Sequence, residues 1–312
     1  MKRRLLLLAT LLPMLTLAAP PAVLTLWPEG VPAAQRADAP AARGELGAER
    51  AERGGIANVA QPTLTVVPPA VDRPNGTAVI LCPGGGYSFL SSNREGLQYA
   101  AWLSTLGVTS FILKNRLQEW GHPAPLQDVL RAIRLVRSRA AEFGVDPGRI
   151  GVMGSSAGGH LAASASTLFD HADGRTGAAL DAVSARPDFA VLVYPVITML
   201  DPAAHAGSRQ ALLGPNPGPE LLTLLSVERQ VTAATPPTLL LHTQRDPAVP
   251  VDNSLLYYQA LTRAGVPAEL YVFEQGGHGI GMRDGLGNAS AWPRRAEDWL
   301  RQRGLLDRAA AR

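Results

Sequence analysis

The chain has 312 residues, of which 46% are hydrophobic and 18% are charged, and its formal net charge is only +3. This balance is typical of a globular protein with a sizeable core and excludes a disordered or fibrous chain. The basic residues are scattered, so no nucleic-acid partner is expected. Cys82 is the single cysteine, which excludes an intrachain disulfide and gives no support to a thiolate metal site.

The N-terminal stretch MKRRLLLLATLLPMLTLAAP places basic residues before an apolar run from Leu5 to Leu17. Small residues follow, and Thr16-Leu17-Ala18 fits a cleavage site, so residues 1–18 are predicted to be a secretory signal peptide. The run is short for a membrane span and contains Pro13. We therefore expect a secreted or periplasmic protein whose mature form is not attached to a membrane.

The next segment has a different composition. Residues 33–57 are rich in Ala, Arg, Glu and Gly and contain no aromatic side chain. Such a composition is typical of a loosely packed segment, so residues 19–57 are predicted to form a flexible N-terminal lead-in. Residues 58–312 are predicted to form one folded domain.

From about residue 62, short apolar runs alternate with helical patterns. The predicted strands are Thr63–Val67, Ala78–Leu81, Val108–Leu113, Ile150–Met153, Phe189–Tyr194, Thr238–His242 and Glu269–Phe273. The predicted helices are Gly96–Leu106, Gln127–Phe143, Ala157–Leu168, Val251–Arg263 and Ala291–Arg303. This alternation predicts an α/β fold with an open, mostly parallel sheet and helices on both faces. Residues 198–236, rich in Pro, Gly and Leu, are predicted to form a small cap or loop excursion.

Ligands of such sheets bind at the carboxyl ends of the strands, so the segments that follow the strands carry the candidate chemistry. Directly after Ile150–Met153 comes Gly154-Ser155-Ser156-Ala157-Gly158, a G-x-S-x-G motif that opens a helix. Its small outer residues permit the strained turn that presents a nucleophilic hydroxyl. Ser155 occupies the variable position, so Ser156 is the predicted nucleophile. The alternative is a small-residue turn that only lets a helix pack tightly.

A nucleophilic serine needs a base, and the base needs an orienting carboxylate. In this topology the acid and then the histidine follow the serine along the chain. Asp246 stands in a turn after Thr238–His242, and His278 stands between glycines after Glu269–Phe273. This order predicts a Ser156–His278–Asp246 triad. The other candidate bases and acids are less favoured because they lie in the core, in loops, in the cap or at a helix start. They are His122, His160, His171, His205, His242, Asp201 and Asp252.

A glycine-rich loop follows the strand Ala78–Leu81, with the sequence Cys82-Pro83-Gly84-Gly85-Gly86-Tyr87. Three consecutive glycines can bend the backbone so that N–H groups face the nucleophile. We predict the N–H groups of Gly85, Gly86 and Ala157 as donors to an oxyanion. A flexible turn without that role is the alternative.

Together these residues resemble the α/β-hydrolase superfamily, and more narrowly its secreted esterases of the hormone-sensitive-lipase-like and acetylxylan/feruloyl esterase group. The resemblance covers about residues 23–304. It is carried by LTLWPEGVP, CPGGGY, PLQDVLRAIRLVRSRAAEFGVDPGRIGVMGSSAGGHLAA, DPAVPVDNS and FEQGGHGIG. Pro83 departs from the group by replacing the histidine of its HGGG motif, and Arg245 stands where the group often has a second acidic residue.

The resemblance implies an α/β-hydrolase catalytic domain over residues 58–312 that hydrolyses short acyl esters on a carbohydrate, foremost acetyl groups on xylan or its oligomers. It implies a small-molecule or polysaccharide ester as the partner, and the chemistry requires no metal or organic cofactor. Tyr87, Trp120 and Tyr194 follow strand ends or lie in a nearby loop. They are predicted either to stack on a sugar or to be core aromatic residues.

Three other functions remain as alternatives. A serine peptidase on the same fold usually carries a large extra domain, for which this chain has no room. A lipase favours a long apolar lid, whereas residues 198–236 are rich in Pro and Gly. A binding protein that has kept a hydrolase scaffold is disfavoured because the triad residues and the glycine loop are all retained.

Overall fold

The computed structural model describes residues 22–71 and 74–308, so the predicted signal peptide lies outside the described residues. Its strands are β1 (Val23–Thr25), β2 (Arg50–Glu52), β3 (Gly55–Ala57), β4 (Thr63–Val67), β5 (Ala78–Cys82), β6 (Thr109–Lys114), β7 (Ile150–Ser155), β8 (Ala190–Val193), β9 (Thr238–Thr243) and β10 (Ala268–Phe273). Its α-helices are α1 (Gln98–Thr105), α2 (Ala124–Ser138), α3 (Ala157–Thr167), α4 (Ala206–Leu213), α5 (Pro219–Leu224), α6 (Asp252–Arg263) and α7 (Trp292–Gln302).

Eight of these strands form one sheet in the order β1-β4-β6-β5-β7-β8-β9-β10. The strands from β6 to β10 in that order run parallel, whereas β4 is antiparallel to both of its neighbours. Strands β5, β7, β8 and β9 are buried at every residue, as parallel strands covered on both faces should be. The prediction of an open, mostly parallel sheet is confirmed.

The sheet separates two apolar layers. On β5, Ile80 packs into one layer and the adjacent Leu81 into the other, because successive strand side chains point to opposite faces. Helices α2, α3 and α6 contribute to the first layer, and α1 and α7 contribute Tyr99 and Trp292 to the second. The predicted helices on both faces are therefore present.

The N-terminal segment differs from the expectation of a flexible lead-in, from residue 22 onward. Strand β1 pairs with β4, and the buried Trp27 donates its Nε1–H to Asp128 at 2.7 Å. Strands β2 and β3 form a hairpin, from which Ile56 exchanges two backbone hydrogen bonds with Leu90. The composition of residues 33–57 suggested loose packing, but a few anchoring side chains and backbone bonds fix the segment on the domain.

Residues 198–236 form the expected excursion from the sheet, with the short helices α4 and α5. This cap is tied to α3 through His160, which donates its Nε2–H to the carbonyl of Leu225 at 2.8 Å. Within residues 22–71 and 74–308, no helix combines the length and the apolar character that crossing a bilayer requires.

Candidate active site

The turn between β7 and α3 holds the predicted nucleophile in a conformation that a non-glycine residue rarely adopts. Ser156 has φ 54° and ψ −124°, and its N–H donates to the carbonyl of Val193 at 3.1 Å. A Cβ atom at Gly154 would collide with the Gly158 carbonyl, and one at Gly158 would collide with the Cys82 carbonyl. Both outer positions of the motif therefore require glycine, because the end of β7, the start of α3 and the end of β5 approach one another closely here.

The structure brings Ser156, His278 and Asp246 together in the predicted order. The Ser156 Oγ lies 2.9 Å from His278 Nε2, and His278 Nδ1 lies 2.7 Å from Asp246 Oδ2. The Asp246 carboxylate accepts only, so Nδ1 carries the imidazole proton and Nε2 is free to accept from the serine hydroxyl. This is the arrangement in which a histidine can withdraw a proton from serine.

The Asp246 carboxylate is buried yet remains ionised. Burial alone would raise its pKa, but the His242 ring 3.6 Å away and hydrogen bonds from His278 and the Val249 N–H outweigh burial and hold the pKa of Asp246 well below its usual range. Its Oδ1 accepts from the N–H groups of Ala248 and Val249, both at 2.9 Å. An ionised carboxylate at this point can stabilise an imidazolium on His278 during catalysis.

The glycine loop after β5 lies against the nucleophile turn. A Cβ atom at Gly84 would approach the Ser155 carbonyl oxygen to 2.5 Å, so a larger residue does not fit there. Gly85 and Gly86 have φ of 130° and 66° and line the same cavity as Ser156. In the described part of the chain, no group accepts a hydrogen bond from the N–H of Gly85, Gly86 or Ala157. The three predicted donors are therefore available.

Glu95 is a site residue that sequence reasoning missed. It lies in a π-helical turn, Ser92–Leu97, that leads into α1. Its Oε2 accepts the Gly84 N–H at 2.6 Å, and its Oε1 accepts the Tyr194 hydroxyl at 2.9 Å. Burial raises the pKa of Glu95, opposed by these two hydrogen bonds and by His278. A charged residue beside Arg94 at a helix start looks solvent-exposed in a sequence, so no pattern distinguished Glu95.

The three aromatic residues that were considered for sugar stacking are core residues instead. Tyr87 places its hydroxyl 2.8 Å from His160 Nδ1, Trp120 donates its Nε1–H to the Val59 carbonyl at 2.9 Å, and Tyr194 packs edge-on against the His278 ring. All three are buried, and none lines the cavity at Ser156. Their apolar rings fill the core while each polar atom finds an internal partner, so the stacking alternative is wrong.

The cavity at Ser156 has a volume of about 490 Å³. One wall is the turn of the β2–β3 hairpin with Arg53, whose guanidinium lies over the Phe89 ring with 5.6 Å to its centroid. His205 of the cap lines another part, and burial lowers its pKa. Among residues 22–71 and 74–308, no group of three or more His, Cys, Asp and Glu side chains is placed to hold a metal ion.

The chain matches the model of the BD-FAE family over residues 64–261. An acetylxylan esterase from Xylanibacter ruminicola is 35% identical over 215 residues, which cover 68% of this chain and 42% of the esterase. An endo-1,4-beta-xylanase B from Butyrivibrio fibrisolvens is 37% identical over 206 residues, which cover 65% of this chain and 32% of the xylanase. The chain thus spans less than half the length of these two curated relatives.

Solved structures resemble the fold over most of the chain. An acetyl ester-xyloside bifunctional hydrolase from Caldicellulosiruptor lactoaceticus has a TM-score of 0.76 and 38% identity, covering 91% of this chain and 97% of that protein. A carboxylesterase from Lactobacillus plantarum has a TM-score of 0.67 and 26% identity, covering 84% of this chain and 99% of that protein.

Proposed function

This chain belongs to the BD-FAE family and has the α/β-hydrolase fold, and from that premise we propose that it is a serine carboxylic-ester hydrolase that removes short acyl groups, foremost acetyl, from xylan or xylo-oligosaccharides. The observation that carries the proposal is the chain of hydrogen bonds from Ser156 through His278 to Asp246, at 2.9 and 2.7 Å, beside an open cavity. The names of the acetylxylan esterase, the xylanase and the acetyl ester-xyloside hydrolase support a xylan-related substrate.

The acylation step follows from the geometry. As the Ser156 Oγ attacks the ester carbonyl carbon, His278 Nε2 takes its proton, and the electron pair of the C=O bond moves to the oxygen. The tetrahedral intermediate then collapses, the C–O bond to the sugar breaks, and His278 returns the proton to the leaving sugar hydroxyl. Asp246 holds the imidazole tautomer and stabilises the imidazolium throughout.

Deacylation repeats these steps with water as the nucleophile. His278 takes a proton from water, the hydroxyl adds to the acyl carbon, and the free acid leaves as Ser156 regains its proton. The oxyanion of both intermediates accepts hydrogen bonds from the N–H groups of Gly85, Gly86 and Ala157. Each such preorganised donor is typically worth about 3–4 kcal/mol in the transition state.

The test is acetate release from acetylated xylan by residues 19–312, with Ser156→Ala measured beside it. We expect release by the wild type and a fall of at least about 10³-fold in kcat for the variant, because the nucleophile is lost. The esters of 4-nitrophenol with acetate and with a long-chain acid serve as companion substrates.

Each outcome has a distinct meaning. Cleavage of 4-nitrophenyl acetate without release from xylan would contradict the carbohydrate substrate and retain the esterase. Faster cleavage of the long-chain ester would favour a lipase. Unchanged activity in Ser156→Ala would contradict the triad itself.

We also propose that the protein acts outside the cytoplasm, on the strength of the N-terminal pattern of basic, apolar and small residues. Expression of the full chain in a Gram-negative host tests this. N-terminal sequencing of the exported protein should begin near residue 19, and a cytoplasmic protein that retains Met1 would contradict the proposal.

A further inference from the structure

His205 lies in the cap immediately before α4, and its ring is the N-cap of that helix. Nδ1 accepts the backbone N–H of Ser208 at 3.1 Å and lies 2.8 Å from the buried Ser208 hydroxyl. Because a backbone N–H can only donate, Nδ1 carries no proton. Burial lowers the pKa of His205, which favours the neutral ring. The neutral ring therefore carries its proton on Nε2, and Nε2–H is a hydrogen-bond donor.

The Nε2 edge of this ring belongs to the wall of the cavity at Ser156. His205 and Gly207 both line that cavity. A Cβ atom at Gly207 would stand 3.3 Å from His205 Cε1 and 3.8 Å from Nε2, so glycine leaves this edge of the ring uncovered. Among the described residues, no group accepts a hydrogen bond from His205 Nε2. The donor is therefore available to a ligand in the cavity.

Capping of α4 does not by itself require a histidine. N-cap positions prefer Ser, Thr, Asp and Asn, whose short side chains accept the N–H three residues on. A serine at position 205 could accept the Ser208 N–H in the same way, but it would have no group at the place of Nε2. What the imidazole adds to the cap is a second polar atom, on the far side of the ring, that lies at the cavity.

The chemistry of the ester decides which part of it can meet this donor. The charges of His278 and Asp246 act in opposite directions on the pKa of His205, so His205 lies on the side of the cavity where the base and its carboxylate stand. In the proposed reaction the carbonyl oxygen is held by the oxyanion donors, and an acetyl group has no other acceptor. The alcohol part receives its proton from His278. An acceptor for Nε2–H is therefore left only in the alcohol part.

We propose that His205 determines specificity on the alcohol side of the ester, with Nε2–H donating to a hydroxyl or ether oxygen on the carbon next to the one that bears the ester. The inference rests on the proposed function at Ser156. An acetylated saccharide carries oxygens on the carbons that neighbour its ester, whereas an alkyl acetate does not. His205 thus selects esters by the chemistry of the leaving alcohol and not by the length of the acyl chain.

The first test uses two acetates that differ by one atom. In 2-methoxyethyl acetate an ether oxygen stands where butyl acetate has a CH₂ group. We expect the ratio of kcat/KM for the first ester to kcat/KM for the second to fall about fivefold in His205→Ser, since a neutral hydrogen bond typically contributes about that much. The intrinsic reactivities of the two esters cancel, because both proteins are measured on the same pair. Serine retains an acceptor for the Ser208 N–H, so α4 keeps its N-cap.

Two controls separate this role from capping and from a general effect on the site. His171 is also an N-cap, whose Nδ1 accepts the Asp173 N–H at 3.3 Å, and it lies outside the lining of the cavity. His171→Ser should leave the ratio within twofold of the wild type. The second control moves the oxygen to the acyl side, with methyl methoxyacetate and methyl butyrate. The ratio for that pair should be the same in the wild type and in His205→Ser.

A second readout observes the native ring. In Ser156→Ala protein with ¹⁵N-labelled histidine, the signals of His205 are those lost in His205→Ser or in His205→Asn, which also keeps a preferred N-cap residue. We expect a ring that is protonated on Nε2 and not on Nδ1 at pH 7. Titration with 2-methoxyethyl acetate should shift the Nε2 resonance, whereas butyl acetate should not.

The results that overturn the role of His205 differ from those that overturn the proposed function. An unchanged ratio for the two acetates in His205→Ser, an equal change in the acyl pair, or a ring protonated on Nδ1 would each refute the role, even if acetate is released from xylan. If the wild type hydrolyses no ester of either pair, the proposed reaction fails. A shift of Nε2 with 2-methoxyethyl acetate alone would then still support His205 as the donor to the alcohol part.

Discussion

Ser156 combines a strained backbone conformation with a position in the wall of the cavity. Its φ of 54° is unfavourable for serine, and such conformations typically cost about 1–3 kcal/mol. The surrounding backbone enforces it, because Val193 accepts the Ser156 N–H and no side chain separates Gly154 from Gly158. The strain points the hydroxyl toward His278 and leaves the Ala157 N–H without an accepting group in the described structure.

Glu95 is expected to act on catalysis through the glycine loop. Its Oε2 fixes the Gly84 peptide at 2.6 Å, and the next two N–H groups are the proposed oxyanion donors. Glu95→Ala should therefore lower kcat for 4-nitrophenyl acetate by about 10²-fold with little change in KM, as loss of an oxyanion donor does. Steady-state kinetics of the purified variant measure this.

Glu95→Gln is the conservative control. Its amide oxygen can still accept the Gly84 N–H, and the Tyr194 hydroxyl can turn to accept from the amide nitrogen. We expect it to recover most of the kcat lost in Glu95→Ala. If the two variants were equally impaired, positioning of the loop would not explain the role of Glu95.

At the scale of elements, the triad was predictable because each member follows a strand, which is buried in β7 and β9 and partly exposed in the edge strand β10. The apolar runs that become β7, β9 and β10 are continuous in the sequence, so their ends were placed within two residues, and the chemistry follows those ends. The β2–β3 hairpin, the π-helical turn before α1 and the short cap helices carry no comparable pattern. Their positions depend on contacts from distant parts of the chain, such as the Ile56–Leu90 pairing.

The turn into α3 should tolerate no side chain at Gly158. Alanine there would drive Cβ into the Cys82 carbonyl, so we expect Gly158→Ala to destabilise the fold by at least about 3 kcal/mol or to prevent folding, through overpacking and backbone shifts. Gly144→Ala is the control, since Gly144 has φ 64° but open space around it. Its cost should be about 1–2 kcal/mol, because alanine is unfavourable in the left-handed region. Urea unfolding of both variants measures this, and equal losses would contradict the close approach at Gly158.

The cap is held to α3 by a histidine that must remain neutral. His160 Nε2 donates to Leu225 and Nδ1 accepts the Tyr87 hydroxyl, and burial lowers the pKa of His160 to about 4. In the unfolded chain His160 becomes protonated near pH 6.5, whereas in the folded chain it stays neutral until about pH 4. The free energy of unfolding should therefore fall as the pH drops from 6.5 to 4. At pH 5 the resulting loss in the free energy of unfolding amounts to about 2 kcal/mol.

Urea unfolding at pH 7 and pH 5 tests that dependence. In His160→Asn the loss of stability between the two pH values should be smaller by this amount, although the variant is less stable at pH 7. His171→Asn, at a half-exposed histidine, is the matched control and should behave like the wild type. An unchanged pH dependence in His160→Asn would contradict the role of His160.

At the scale of the whole molecule, a buried ion pair joins the N-terminal segment to the domain. Asp128 of α2 pairs with Arg116 at 2.8 Å, with both side chains fully buried, and also accepts from Trp27 Nε1. Arg116 donates in turn to the carbonyl of Pro32. Residues 22–57 therefore contribute to the stability of the domain. Their hairpin also lines the cavity at Ser156.

Removal of one partner leaves the other charge buried without compensation. We expect Asp128→Ala to lower the free energy of unfolding by about 3–5 kcal/mol, as the loss of half of a buried pair does. Chemical denaturation followed by tryptophan fluorescence measures the loss, with Asp170→Ala at an exposed ion pair as the control, expected to cost at most about 1 kcal/mol. A loss below 1 kcal/mol in Asp128→Ala would show that the segment docks independently of this pair.

Cys82, at the end of β5, is a natural probe of local opening in the folded protein. The thiol is 1% exposed, and burial raises its pKa, so a thiol-specific reagent has no thiolate to attack while the chain stays folded. Under native conditions, where reclosing is faster than labelling, the rate of labelling then reports the equilibrium fraction of molecules in which Cys82 is accessible to the reagent. Because the chain has no second cysteine, the mass gained over time measures labelling at this one position.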